Sequence, residues 1–149
     1  VVFALSLLQI TPAFASDQDA IRAVMMKTWD KPDARLVIEP IVVSGDHAIA
    51  GWSQGDMGGR ALLRKKGAAW DVVLCAGDDL KKADVLSKVG LPDANAKALS
   101  ASLASAEAAV APARLALFSK FEGLVIVAGD EVHRGHGSPA NHHPHGHKP

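Results

Sequence analysis

The chain has a single cysteine, no tyrosine, and equal numbers of basic and acidic residues, sixteen of each. With only Cys75, no disulfide can form within the chain, so an oxidised partner has to come from another molecule. A formal charge of zero, with no basic stripe carrying interleaved aromatics, argues against nucleic acid as a partner. His47 is the only histidine before His133, and no spaced Ser/His/Asp or Cys/His pattern accompanies it. Hydrolytic and nucleophilic catalysis therefore have no candidate residues. A phosphate-binding loop and a dinucleotide fingerprint are missing too, so the expectation is a protein that is not an enzyme. The hydrophobic share of 48% is compatible with a packed core, although much of it is alanine, whose burial contributes little area per residue.

The first fifteen residues, "VVFALSLLQITPAFA", are apolar apart from Ser, Gln and Thr and close on Ala13-Phe14-Ala15. That is the small-x-small pattern of a signal-peptidase site, so residues 1–15 are expected to be a signal peptide truncated at its start, with periplasmic localisation as the consequence. The alternative is a buried first helix of the domain. A spanning helix needs about 20 consecutive apolar residues, and this run meets charge at Asp17, so the mature chain is not expected to span a membrane. Residues 16–128 are expected to be a single α+β domain, and residues 129–149 a tail.

Within the domain, Ile21, Val24 and Met25 fall at helical spacing from Asp17 to Trp29, and Lys31-Pro32 ends the helix. Four β-rich runs follow, "RLVIEPIVV", "HAIAGWSQ", "RALLRKK" and "WDVVLCAG", separated by short Gly-bearing turns. They predict a four-stranded antiparallel β-meander. Pro40 cannot donate to a ladder and places the first strand at an edge. Asp78 to Val89 reads as one short helix capped by Gly90, with Asp78-Asp79 at its start. Pro92-Asp93 opens a longer helix with an apolar stripe of Leu99, Leu103, Ala106 and Val110. Pro112 interrupts it, and "ARLALFSKFEG" resumes helix to Gly123. "LVIV" is a candidate for one more short strand. After Gly129 the composition turns to Gly, Pro, His and Asn, and the His-rich tail is expected to be disordered because it has too little apolar surface to order itself.

Two constellations carry chemistry. His133, His136, His142, His143, His145 and His147 crowd the tail. Imidazole is mostly neutral at pH 7 and so competent as a ligand, and binding by one ring holds the others at high effective concentration. A nitrogen-rich site of this kind favours Cu²⁺ over Ni²⁺ and Zn²⁺. An expression tag is normally an unbroken run, whereas Asn141, Pro144 and Gly146 interrupt this one; a polar solubilising tail is the other reading. The second constellation is Met57 with Cys75. The turns of the meander put both at one end of the sheet, with Arg60 roughly opposite Cys75. Thioether plus thiolate is a soft pair suited to Cu(I). The competing reading is structural: Gly55, Gly58 and Gly59 as loop residues at positive φ, and Cys75 as a buried free thiol. Met25 and the three tryptophans read as core.

With these residues in view, the segment from Asp17 to Gly123, above all "AGWSQGDMGGRALL" and "VLCAGD", resembles a family of small exported bacterial proteins described as copper uptake system-associated. The resemblance implies a periplasmic accessory factor in copper acquisition, with copper ions as cargo and other periplasmic copper-handling proteins or a membrane transporter as partners. It implies no catalytic residues, and copper is not expected to be needed for folding. The rival expectation is a periplasmic protein-interaction module with no metal site in its folded domain.

Overall fold

A computed structural model describes residues 16–127. Helix α1, Asp17–Trp29, begins in a capping box: the Ser16 hydroxyl accepts from the Asp19 N–H, and the Asp19 carboxylate accepts from the Ser16 N–H. Strands β1 (Leu36–Ser44), β2 (His47–Gln54), β3 (Met57–Lys66) and β4 (Ala69–Ala76) follow as consecutive antiparallel hairpins. Gly45, Gly55 and Gly67 sit at positive φ in the three connections. A fifth strand, β5 (Leu124–Ile126), pairs antiparallel with β4, giving the order β1-β2-β3-β4-β5 in place of the expected four strands. β1 is an edge strand, as Pro40 requires, and its register shifts between Ile38 and Ile41 around a cis Glu39–Pro40 bond.

Alternation along the strands divides the core between the two faces of the sheet. α1 packs on one face, where Ile21 and Met25 meet Leu36, Ile38, Ala48, Ala50, Ala61, Leu63 and Trp70. The other face carries Ile49, Leu62, Leu74 and Ala76 under the helices that follow β4. The expected helix from Asp78 to Val89 is two pieces, a 3₁₀ turn at Asp78–Lys81 and helix α2 at Ala83–Lys88. Neither Asp78 nor Asp79 caps an end through its side chain. Asp78 accepts instead from Arg60 and Ser119, and Asp79 from Lys82. Helix α3, Asp93–Glu107, buries Ala96, Leu99, Leu103 and Glu107, so its inward stripe runs on through Glu107 and leaves Ala106 and Val110 only half-buried. Pro112 is the first residue of a separate helix α4, Pro112–Ser119, which stops short of Gly123. Pro at that position forfeits only an N–H that has no partner inside the helix.

Gly58 and Gly59 do not belong to the β2–β3 loop. Both are buried within β3, and of the three glycines only Gly55 has positive φ. They are needed for closeness: a Cβ on Gly58 would stand 2.9 Å from the Leu117 backbone, and one on Gly59 would stand 3.0 Å from the rings of Phe121 and Trp52. Gly58→Ala is therefore expected to cost about 1–3 kcal/mol in urea denaturation, since backbone cannot move aside cheaply. Gly55→Asn, in open space and in a region asparagine tolerates, should cost less than about 1 kcal/mol. Equal losses at the two sites would contradict the packing role of Gly58.

Candidate functional site

The face under α1 does not close completely. A cavity of about 280 Å³ opens at the end of the sheet where α1 terminates. The ladders build its floor. Leu36 stands opposite Gln54, and Gln54 opposite Met57, in one row across β1, β2 and β3. Ala61 stands opposite Cys75, and Cys75 opposite Val125, in a second row across β3, β4 and β5. Trp52 lies between these rows on β2. Met25 and Trp29 of α1 form one wall, and Phe121 and Val127 from the chain after α4 form another.

α1 is fixed across this opening by polar contacts at both ends. At its start, the Asp17 carboxylate accepts from Lys65 Nζ at 2.8 Å and from Trp70 Nε1 at 3.1 Å. The Lys65 bond first, and the Trp70 bond after it, hold the Asp17 carboxyl below its ordinary pKa. At its end, Gln54 Nε2 donates to the Trp29 carbonyl at 2.8 Å and to the Ala34 carbonyl at 2.6 Å. A helix leaves its last carbonyls without internal partners, and Gln54 supplies one. Both amide hydrogens of Gln54 are thereby used and its Oε1 is fixed as an acceptor, with no donor among the described residues.

Met57 and Cys75 line this one cavity, and Met25 joins them. Two of the chain's three methionines and its only cysteine thus converge on one space. The expected register needs a correction of one residue: Cys75 stands opposite Ala61, and Arg60 stands opposite Ala76. Because a one-residue slip exchanges faces, the corrected register is the one that puts Cys75 on the same face as Met57. Met57 is 61% exposed at the rim, whereas Met25 is 2% exposed at the back. Burial pushes the Cys75 thiol up to about 11, so at neutral pH it is a protonated thiol. His47 pairs with Ser44 and Arg64 at the opposite end of β2, remote from the Met57 end. Among the described residues no group of three or more His, Cys, Asp or Glu is arranged to hold a metal. The tail histidines, His133, His136, His142, His143, His145 and His147, lie outside the described residues, as do residues 1–15.

Sequence reasoning missed Met25, Trp29, Trp52, Gln54 and Phe121 as cavity residues. Met25 and the tryptophans carry an ordinary core signature, and only the fold shows that this part of the core has a gap. Trp52 has a further peculiarity: its Nε1–H is enclosed, with no hydrogen-bond partner among the described residues. The Phe121 ring is its aromatic neighbour, 5.9 Å away between centroids with the planes at 83°. No known protein family, curated protein or solved structure matches the chain.

Proposed function

We propose that this is an exported, copper-linked accessory protein of a copper uptake system. In this reading it takes Cu(I) at Met57 and Cys75, with Met25 alongside, and gathers copper with the histidines of its tail. The observation that carries the reading is the convergence of Met25, Met57 and Cys75 on one cavity that has no charged side chain in its lining. Thioethers and a thiolate are soft donors, and an apolar wall strengthens the preference for a soft monovalent ion over hard divalent ones. The tail supplies nitrogen donors suited to Cu(II) or Cu(I), and raises the local concentration of metal near the domain or near a partner transporter.

The test is a competitive titration of Cu(I) and of Cu(II) on the mature chain from Ser16, on the same chain ended at Glu131, and on Cys75→Ser. Truncation should remove Cu(II) capacity while leaving the fold unchanged by circular dichroism. Cys75→Ser should weaken Cu(I) binding by more than the roughly 10- to 100-fold that follows loss of an outer-shell partner. An unchanged metal count in the truncated protein would sink the tail's role, and unchanged Cu(I) affinity in Cys75→Ser would sink the sulfur site.

A second reading, a periplasmic protein-interaction module with a metal-free folded domain, is favoured by β5. Leu124, Val125 and Ile126 are 41%, 51% and 69% exposed on a strand of three residues. An unprotected apolar edge is a template for pairing with another chain. Copurification of a partner with domain that carries no metal would favour this reading over the first.

A further inference from the structure

A copper ion held between Met57 and Cys75 would fill only a small part of the cavity. We infer that the metal-free cavity is a binding site for a small, flat, uncharged organic molecule that carries one N–H or O–H donor. Four observations define that class. The volume of about 280 Å³ is close to twice the roughly 150 Å³ that accommodates benzene in an apolar protein cavity, so the occupant has on the order of ten non-hydrogen atoms. The lining holds no charged side chain, and a charged ligand would lose its hydration with nothing to replace it. Trp29, Trp52 and Phe121 with the sulfurs of Met25 and Met57 offer aromatic faces and polarisable atoms, which favour a flat conjugated ring. Gln54 contributes the polar specificity. Its two N–H groups are spent on the Trp29 and Ala34 carbonyls, so toward a ligand it can only accept, through Oε1.

The inference does not rest on the copper reading, and its test contains no copper. Indole and indene are equal in size and shape, and only indole carries an N–H. Each is titrated into the metal-free full-length protein labelled with carbon-13 at the methionine methyls. The label has an internal control: Met25 and Met57 line the cavity, whereas Met26 packs against the same core without lining it. The expected result is saturable movement of the Met25 and Met57 signals, a stationary Met26 signal, and indole bound about fivefold tighter than indene, the size of effect that one net hydrogen bond gives. Indole is the less hydrophobic of the two, so a cavity without an acceptor would rank them the other way. Indene bound the more tightly, all three methyls moving together, or no movement up to the solubility limit of either compound would each overturn the proposal. Loss of the copper reading, through a Cys75→Ser protein that binds Cu(I) as before, would leave this result untouched.

Discussion

Glu107→Gln is expected to lower the unfolding free energy by about 3 kcal/mol, read by urea denaturation at pH 7. Arg60 is 1% exposed and Glu107 6% exposed, and the two meet as a fork: Arg60 Nε donates to Glu107 Oε1 at 2.6 Å, and Nη2 donates to Oε2 at 3.0 Å. Planar guanidinium matched to planar carboxylate is the strong form of the interaction. Removing the carboxylate charge strands a buried cation. The remaining acidic partner, Asp78 at 3.0 Å, still offsets part of that charge even though its side chain is 55% exposed, so the loss is expected at the lower end of the range of about 3–5 kcal/mol for a broken buried pair. Asp78→Asn should accordingly cost less than about 1 kcal/mol. The double change Arg60→Met with Glu107→Leu should recover most of the loss, because it removes both charges together. A Glu107→Gln protein within about 1 kcal/mol of the parent would show that water reaches Arg60.

The consequence for the cavity runs through α4. The Arg60 guanidinium lies 5.4 Å from the Phe118 ring centroid, and that of Arg114 lies 5.1 Å from it. Phe118 in turn occupies the space over Gly51, where a Cβ would come within 2.7 Å of the ring. Arg114 ties the same helix to β1 and β2, donating to the carbonyls of Glu39 and Val37 and to the Ser53 hydroxyl. These contacts fix where α4 ends, and with it Phe121 and the chain that supplies Val125 and Val127 to the cavity. The two faces of the sheet are coupled in this way: the ion pair is on the α3 side, and the wall it steadies is on the α1 side.

The elements with a strong local period were legible in the sequence. Ile21 and Met25 are the buried residues of α1, and Gly45, Gly55 and Gly67 mark the hairpin turns through positive φ, a preference that belongs to the residue itself. What escaped depends on partners distant in the chain. The register of β3 on β4 shifts where Leu62 faces Leu74 while Leu63 faces Val72, and nothing in "DVVLCA" distinguishes the extra residue of that bulge from its neighbours. That bulge decides which face Cys75 takes, so the sulfur convergence could be raised from sequence but not placed. Gly58 and Gly59 look like loop glycines because the residues that need their missing side chains, Leu117 and Phe121, come some sixty positions later. β5 was visible only as a candidate in "LVIV", because three residues are too few for a period. Glu107 did leave a trace, since Leu99, Leu103 and Glu107 continue at the four-residue helical spacing, and Arg60 is a lone charge in an otherwise small and apolar run. A charged residue on each of two inward faces is the sequence form of a buried pair, although their pairing with one another is set by the fold.

Cu(I) affinity is expected to rise about tenfold for each pH unit between pH 6 and pH 9, roughly 1000-fold in all, with one proton released per ion bound. The reason lies in the position of Cys75. Desolvation against the apolar lining of the cavity disfavours the thiolate and pushes the half-buried thiol up to about 11, so across this whole range a Cys75 ligand must lose a proton before it can bind. An ordinary thiol, near 9 in the unfolded chain, would begin to level off at the upper end of the same range. Because Cys75 is the only cysteine, thiolate absorbance in the near ultraviolet reports its titration directly, with a midpoint expected about two pH units above that of the urea-unfolded protein. The linkage has a definite sign. Between the unfolded and folded values the unfolded chain has already lost the proton that the folded chain keeps, so stability is complete below about pH 9 and falls as pH rises toward about 11. A Cys75→Ser protein should show neither the steep copper slope nor this alkaline loss. If the parent shows the alkaline loss while its Cu(I) affinity is flat with pH, Cys75 is half-buried as the fold places it but is not a copper ligand. If the slope and the proton release both appear, the raised pKa acts as a gate: the site releases copper as the surroundings acidify and retains it as they become alkaline.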